Sequence, residues 1–358
     1  MLRDFKLNVR IGSNTLLGHV PSELQFPIAI ERRAALMTFD LRNLALLPGL
    51  LFCLGVTAQD YPSKPVRIIV GSAPGGPVDT AARVVAQKLL DSWRQPVTVE
   101  NRIGASEMIG AEFVAKATPD GHTLLMVSLN PFTINPSVFA KLPYDPVHSF
   151  ASIVLVAVNP MVLVANPKAS FNSMKELVAA AKSRPGEIAW STPGLATSNH
   201  IAGEWFAAET GIKLFHIPYK GGPAAVSAVI SGDVPLGIVS LVQVLPFVKV
   251  GTVKVLAVTT EKRTSLAPDW PTVAELGVPG FDASVRVGLF APAGTPSGVI
   301  ARINSDINRV LQLPEMRERF ATLGVEPVGS TPGELDVVIA RLRAKTAQIV
   351  EQAKIKPQ

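Results

Sequence analysis

Cysteine is almost missing from this chain: its 358 residues contain one, Cys53. A lone cysteine excludes a disulfide framework and any C-x-x-C redox or metal motif. Aromatics are scarce at 6%, and the basic residues behind a net charge of +6 are scattered without runs, which excludes a nucleic-acid surface. Charged residues reach only 17% against 47% hydrophobic ones, with 30 Pro and 27 Gly spread throughout, a composition of folded rather than disordered chains. Motifs for chemistry are missing too. No G-x-S-x-G elbow, H-E-x-x-H, G-x-G-x-x-G or Walker loop occurs, and His19, His122, His148, His200 and His216 are dispersed, with no pair at ligand spacing on one helix. No metal or cofactor is expected, and binding without chemistry becomes the leading class.

What is present begins with a processing signal. Met37 to Ala58, MTFDLRNLALLPGLLFCLGVTA, holds a basic Arg42, an apolar run from Leu44 to Val56, and Val56-Thr57-Ala58 as a small-residue cleavage site before the polar QDYPSKP. That run is too short to span a membrane, so export with cleavage after Ala58 is expected, an uncut anchor being the alternative. Residues 1–36 precede the signal, and translation is expected to start at Met37. Cleavage would remove Cys53 as well. A second apolar run, FASIVLVAVNPMVLVANP over 150–167, is interrupted by Asn159-Pro160 and rich in Val and Ile; two buried strands joined by a turn explain it better than a membrane helix.

From Tyr61 onward, β-branched runs alternate with helical segments. PVRIIVG (65–71) reads as a strand buried on both faces, and Val78, Ala82, Val85, Leu89 and Trp93 mark one face of a helix from Pro77 to Trp93. PVTVEN, HTLLMV, IAWST, KLFHIPY, VPLGIVS, VKVLAVT and DASVRVGLFAP read as further strands, with helices between and after them, and Ser173 with Glu176 has capping-box spacing. The fold class is α/β: mainly parallel sheets flanked by helices, in two units joined by strands near 150–166 and 278–291.

In such sheets ligands sit beyond the carboxyl ends of strands, against helix N-termini. Four loops qualify. Ala73-Pro74-Gly75-Gly76 reads equally as an anion cradle and as an ordinary turn, and Asp79 in the following first turn reads as a dipole partner or as a group aimed at a ligand hydroxyl, ammonium or water. The others are Ser128-Leu129-Asn130, the segment Thr192 to His200 with Gly194, Thr197 and Ser198, and Val239-Ser240 with Gln243. Ser198 or Asn199 reads as well as a helix cap.

YPSKPVRIIV, APGGPVD, PVTVENRIGAS, GAEFVAKATPDGHTLLM, SNHIAGEWF, HIPYKGGPAA, PTVAELGVPGF and LFAPAGTP together resemble the receptors of tripartite tricarboxylate transporters, the Bug proteins, from about Tyr61 to the C-terminus. The resemblance implies a periplasmic two-lobed Venus flytrap, type II, with lobe 1 over 59–159 plus 284–358 and lobe 2 over 160–283. It implies a monomer that closes on a small carboxylate and delivers it to the large and small subunits of a membrane permease. Pro74, Gly75, Gly76 and Asp79 fall on the carboxylate cradle, and Ser198 and His200 on the second lobe's contribution. The chain departs from the family at Pro77 and Val78, at IGASEMIG where a Gly-rich G-A-G-G-N is usual, at SLNPF, at Val239-Ser240 where Asp-Asn is frequent, and at Arg286 where an aromatic is frequent. Arg286 reads as a pocket cation favouring an extra anionic end on the ligand, or as a solvated strand-edge residue. A sensing adaptor for a membrane kinase is the alternative role. A hydrolase using His200 and Ser198 is a weaker one, since no motif supplies an orienting carboxylate.

Overall fold

The computed structural model describes residues 61–355. The start at Met37, the cleavage after Ala58 and Cys53 lie outside the described residues. Strand β1 (Val66–Val70) buries all but Arg67, as a strand covered on both faces must, and pairs in parallel with β2 (Val97–Asn101) and β3 (Thr123–Ser128). Helix α1 (Pro77–Trp93) connects β1 to β2, and α2 (Met108–Ala115) connects β2 to β3. Pro77 suits the first position of α1, where no intrahelical N–H is needed. The buried stripe Val78, Ala82, Val85, Leu89 and Trp93 packs against the sheet, each large side chain contributing about 1.5–3 kcal/mol by leaving water. Trp93 Nε1 ties α1 to the buried Asp306 at 2.7 Å.

Two short helices, α3 (Asn130–Thr133) and α4 (Asn135–Val138), lead to β4 (Phe150–Ala165). The expected pair of strands over 150–167 is corrected here: β4 is one strand of 16 residues running through Asn159-Pro160. Its first part pairs with β9 (Ser284–Pro292) and β10 (Glu326–Pro327), and its second part with β7 (Leu236–Ser240) and β8 (Lys254–Val258). Pro160, which has no N–H for a ladder, sits at the change of partners rather than at a turn.

The second half holds α5 (Met174–Ser183), β5 (Ala189–Thr192), α6 (Ser198–Thr210), β6 (Phe215–Pro218), α7 (Gly222–Ser231) and α8 (Leu241–Lys249). Here β5 pairs in parallel with β6 and β7. Helices α9 (Ser297–Leu311) and α10 (Pro314–Thr322) return to the first half, and α11 (Pro332–Gln352) follows, opened by a capping box from Thr331 and Glu334. The strand path is β2-β1-β3-β9-β4-β7-β5-β6, so the parallel edges are joined through the antiparallel β9 and β4. Separate cores lie on the two halves, one around Ile68, Leu89 and Ile303 and another around Leu163, Trp190 and Phe206. Among the described residues no helix is long and apolar enough to cross a membrane.

Candidate functional site

The carboxyl ends of β1, β3, β5 and β7 carry the four loops. After β1, Gly75 takes φ +77°, a left-handed geometry that costs glycine nothing in Cβ clashes. Its N–H donates to Asp79 Oδ2 at 2.9 Å. Asp79 is 2% exposed. Arg83 Nε reaches the same oxygen at 3.0 Å, while Asn101 Nδ2 and Arg83 Nη2 reach Oδ1 at 2.8 and 3.0 Å. Burial opposes ionisation of this carboxyl, but hydrogen bonds from Arg83, the Gly75 amide and Asn101 outweigh it and hold the pKa below the ordinary value.

The expectation that the glycine amides of this loop face a ligand is corrected by these bonds. Gly75 N–H is taken by Asp79, and Gly76 N–H donates to Ala73 O at 3.2 Å, because a turn this tight must satisfy its own donors. At the head of α1 the amides of Val78 and Asp79 remain, ahead of the first intrahelical bond from Thr80 N–H to Gly76 O. Ala73 and Pro74 are exposed on the rim. Asp79 shapes the loop from behind, with both oxygens filled from its own half of the molecule.

Helix α6 starts by the same device. Ala196 is left-handed at φ +56°, and its N–H donates to His200 Nδ1 at 3.2 Å. Thr197 is the cap: its Oγ1 accepts from His200 N–H at 3.3 Å and donates to Gly194 O at 2.8 Å. Neither Ser198 nor Asn199 caps the helix. His200 lies in the first turn of α6 rather than in the loop; it is 4% exposed, and its ring stacks on His216 at 4.0 Å between centroids. His216 Nε2 lies 2.7 Å from Thr192 Oγ1. Burial, then the neighbouring His200, depresses the His216 pKa to about 3.

The β3 loop reaches across to α6. Ser198 Oγ donates to Asn130 Oδ1 at 2.7 Å, joining the start of α6 to the start of α3. Ser128 Oγ donates to Glu107, and the Ser128 N–H reaches Glu107 Oε1 at 3.4 Å. Burial raises the pKa of the Glu107 carboxyl against the opposing effect of these bonds. Ala105, Ser106 and Glu107 are all left-handed, at φ 47°, 52° and 69°, in the stretch where the family pattern is rich in glycine. At the end of β7, Ser240 Oγ donates to Asn159 Oδ1 at 2.8 Å.

Arg286 is not a solvated strand-edge residue: it is 7% exposed, and its Nη2 donates to Asp282 Oδ2 at 2.6 Å. It shares a small pocket of ≈ 50 Å³ with Asn130, Ser198, Ser284, Trp205 and Lys345, which the 73–76 loop does not line. Asn101, Glu107, Asn159 and His216 were missed by sequence reasoning. Only Glu107 carried a signal, as an acidic residue in a stretch where glycine is usual.

The profile described as "Tripartite tricarboxylate transporter family receptor" matches residues 81–355. Protein BugT of Bordetella pertussis is 38% identical over 304 residues, covering 84% of this chain and 93% of that protein. Among solved structures, R. palustris Rpa4515 with adipate superposes with a TM-score of 0.73 at 29% identity, covering 84% of this chain and all of that one (100%). MatC from Rhodopseudomonas palustris with bound malate gives a TM-score of 0.68 at 28% identity, covering 81% and 100% of the two chains. With the family profile spanning most of the described residues, and with the fold and relatives in agreement, the chain belongs to the tripartite tricarboxylate transporter receptor family.

Proposed function

We propose that this protein is a receptor for a small carboxylate, held between a lobe of residues 59–159 plus 284–358 and a lobe of residues 160–283. The matched pair of helix heads carries this reading. The first turn of α1 and the loop entering α6 are each braced by a buried side chain that captures the preceding amide, which leaves the positive ends of two helices preorganised for an anion. The similar structures with adipate and malate support a dicarboxylate as the ligand class.

The ligand contacts are Ala73 and Pro74, the amides of Val78 and Asp79, and Ser128 and Asn130 on the first lobe, with Thr192, Gly194, Thr197, Ser198 and Ser240 on the second. Asp79 and His200 act through the loops they hold. Arg286 faces the adjoining pocket instead. The physiological setting is the periplasm, with a monomer handing its ligand to a two-subunit membrane permease. Binding without turnover is supported by the bonding of Ser198 Oγ to Asn130 and of His200 Nδ1 to Ala196, which leaves no Ser–His dyad assembled.

Thermal unfolding against a panel of dicarboxylates, tricarboxylates, amino acids and aromatic acids tests the reading. A C4 to C6 dicarboxylate is expected to raise Tm in proportion to the logarithm of its concentration above Kd, reaching about 2.7 kcal/mol of added stability at a hundredfold excess over Kd. No shift from any member of the panel sinks it.

A further inference from the structure

The small pocket beneath α11 contains a feature that carboxylate binding at the helix heads does not use. Ser284 and Arg286 are two residues apart on β9, so their side chains leave the same face of the strand. Ser284 Oγ and Arg286 Nη1 are both buried and have no hydrogen-bond partner, and both residues line this pocket of ≈ 50 Å³. Unpartnered buried donors are costly, and a guanidinium is the costliest of the ordinary ones.

Arg286 Nη2 engages Asp282 Oδ2 at 2.6 Å, and Lys345 Nζ pairs with Glu209 at 2.7 Å. Arg341 Nη2 reaches the same Asp282 oxygen at 3.0 Å from outside the pocket, with its side chain half-exposed, so Asp282 is shared and the second guanidinium nitrogen of Arg286, Nη1, is left without an acceptor. The remaining walls are largely apolar, among them Leu129, Ile201, Trp205 and Ile349, and such walls strengthen any charge interaction inside. A single water needs about 10–15 Å³ of such room, so the pocket takes several water-sized groups.

We propose that this pocket is a further binding site, for a small inorganic anion held by Arg286 Nη1 and Ser284 Oγ. The pocket is walled by Asn130 after β3, Ser198 at the head of α6 and Lys345 of α11, so an occupant would accept from Arg286 where both halves of the molecule and the last helix meet. The site adjoins the proposed carboxylate cleft and shares Asn130 and Ser198 with it, while its two donors, Arg286 Nη1 and Ser284 Oγ, are not among the proposed carboxylate contacts.

Crystals of the protein grown with gluconate as the sole anion and then soaked in bromide test the assignment, alongside thermal unfolding in bromide against gluconate at equal ionic strength, with no organic ligand present. An anomalous bromide peak beside Arg286 Nη1 and Ser284 Oγ is expected, with a Tm that rises with the logarithm of bromide concentration above its Kd. Ser284→Ala, which keeps the ion pairs, is expected to weaken the bromide midpoint about tenfold, the scale of one charge-assisted hydrogen bond. Arg286→Met is expected to abolish both signals. Water density in place of bromide, or an equal Tm gain in wild type and Ser284→Ala, overturns the proposal.

Discussion

The heads of α1 and α6 solve one problem with different chemistry. In each, the residue before the cap is left-handed, Gly75 at φ +77° and Ala196 at φ +56°, and the third helical residue reaches back to take its amide proton. On α1 that residue is Asp79, an anion buttressed by Arg83 and Asn101. On α6 it is His200, a neutral ring whose support is stacking on His216. The first bracing is electrostatic and draws on charge, while the second rests on packing and one neutral hydrogen bond. The two sides of the cleft should therefore fail under different insults.

The largest difference is expected from removing the anion. Asp79→Ala strands Gly75 N–H, Arg83 and Asn101 together, and should cost about 3 kcal/mol in urea unfolding and at least tenfold in carboxylate affinity. An unchanged affinity would mean that Arg83 and Asn101 shape the loop unaided. His200→Phe keeps a stacking ring but cannot accept the Ala196 N–H, so about 2 kcal/mol should be lost, with the ligand off-rate rising. If the loss equals that of Asp79→Ala, the neutral and ionic braces are of equal strength.

Acid should separate the two sides without any mutation. His216 is held neutral in the fold, with its pKa depressed to about 3 from 6.5. Its contribution is complete above pH 6.5 and is lost progressively as pH falls towards 3. Asp79, also depressed, keeps its contribution above its ordinary value of 3.8 and loses it only below that. Hydrogen exchange corrected for intrinsic rates should show the Ala196 amide losing protection between pH 6.5 and 4 while Gly75 holds; simultaneous loss would break the contrast. The smallest effects reverse sign across the pair. Gly75→Ala should cost about 1 kcal/mol by placing a Cβ in the left-handed region, whereas Ala196→Gly should gain about 0.5 kcal/mol after chain entropy and a lost buried methyl are offset. Thermal unfolding of both variants checks the signs.

Legibility in the sequence followed the range of the interaction. Helix α1 was read at its observed bounds, Pro77 to Trp93, because a 3.6-residue stripe and a first-turn proline are local signals. The two-lobed α/β class was readable from strand and helix alternation. The run over 150–167 misled, since Asn159-Pro160 reads locally as a turn, whereas strand β4 continues by exchanging β9 and β10 for β7 and β8 as partners. Arg286 could be read two ways until Asp282 was found beside it. Of the candidate loops, 73–76 lies between β1 and α1 as read, whereas Asn130 opens α3, Ser198 to His200 open α6, and α8 follows Ser240 directly with Gln243 inside it; the donors of these segments were not assigned.

By itself the sequence determined the alternation of strands and helices and the bounds of α1, because those choices depend on residues within a turn or two of one another. It also placed an acceptor, Asp79, in the first turn of α1, whereas His200 became the third residue of α6 only once Thr197 proved to be the cap. Only the tertiary structure decided which amides and side chains remain for a ligand. Asn101 meets Asp79 across 22 residues of chain, and Ser198 meets Asn130 across 68. A hydrogen-bond donor is free or taken according to atoms that the fold, and not the local sequence, brings within 3 Å of it.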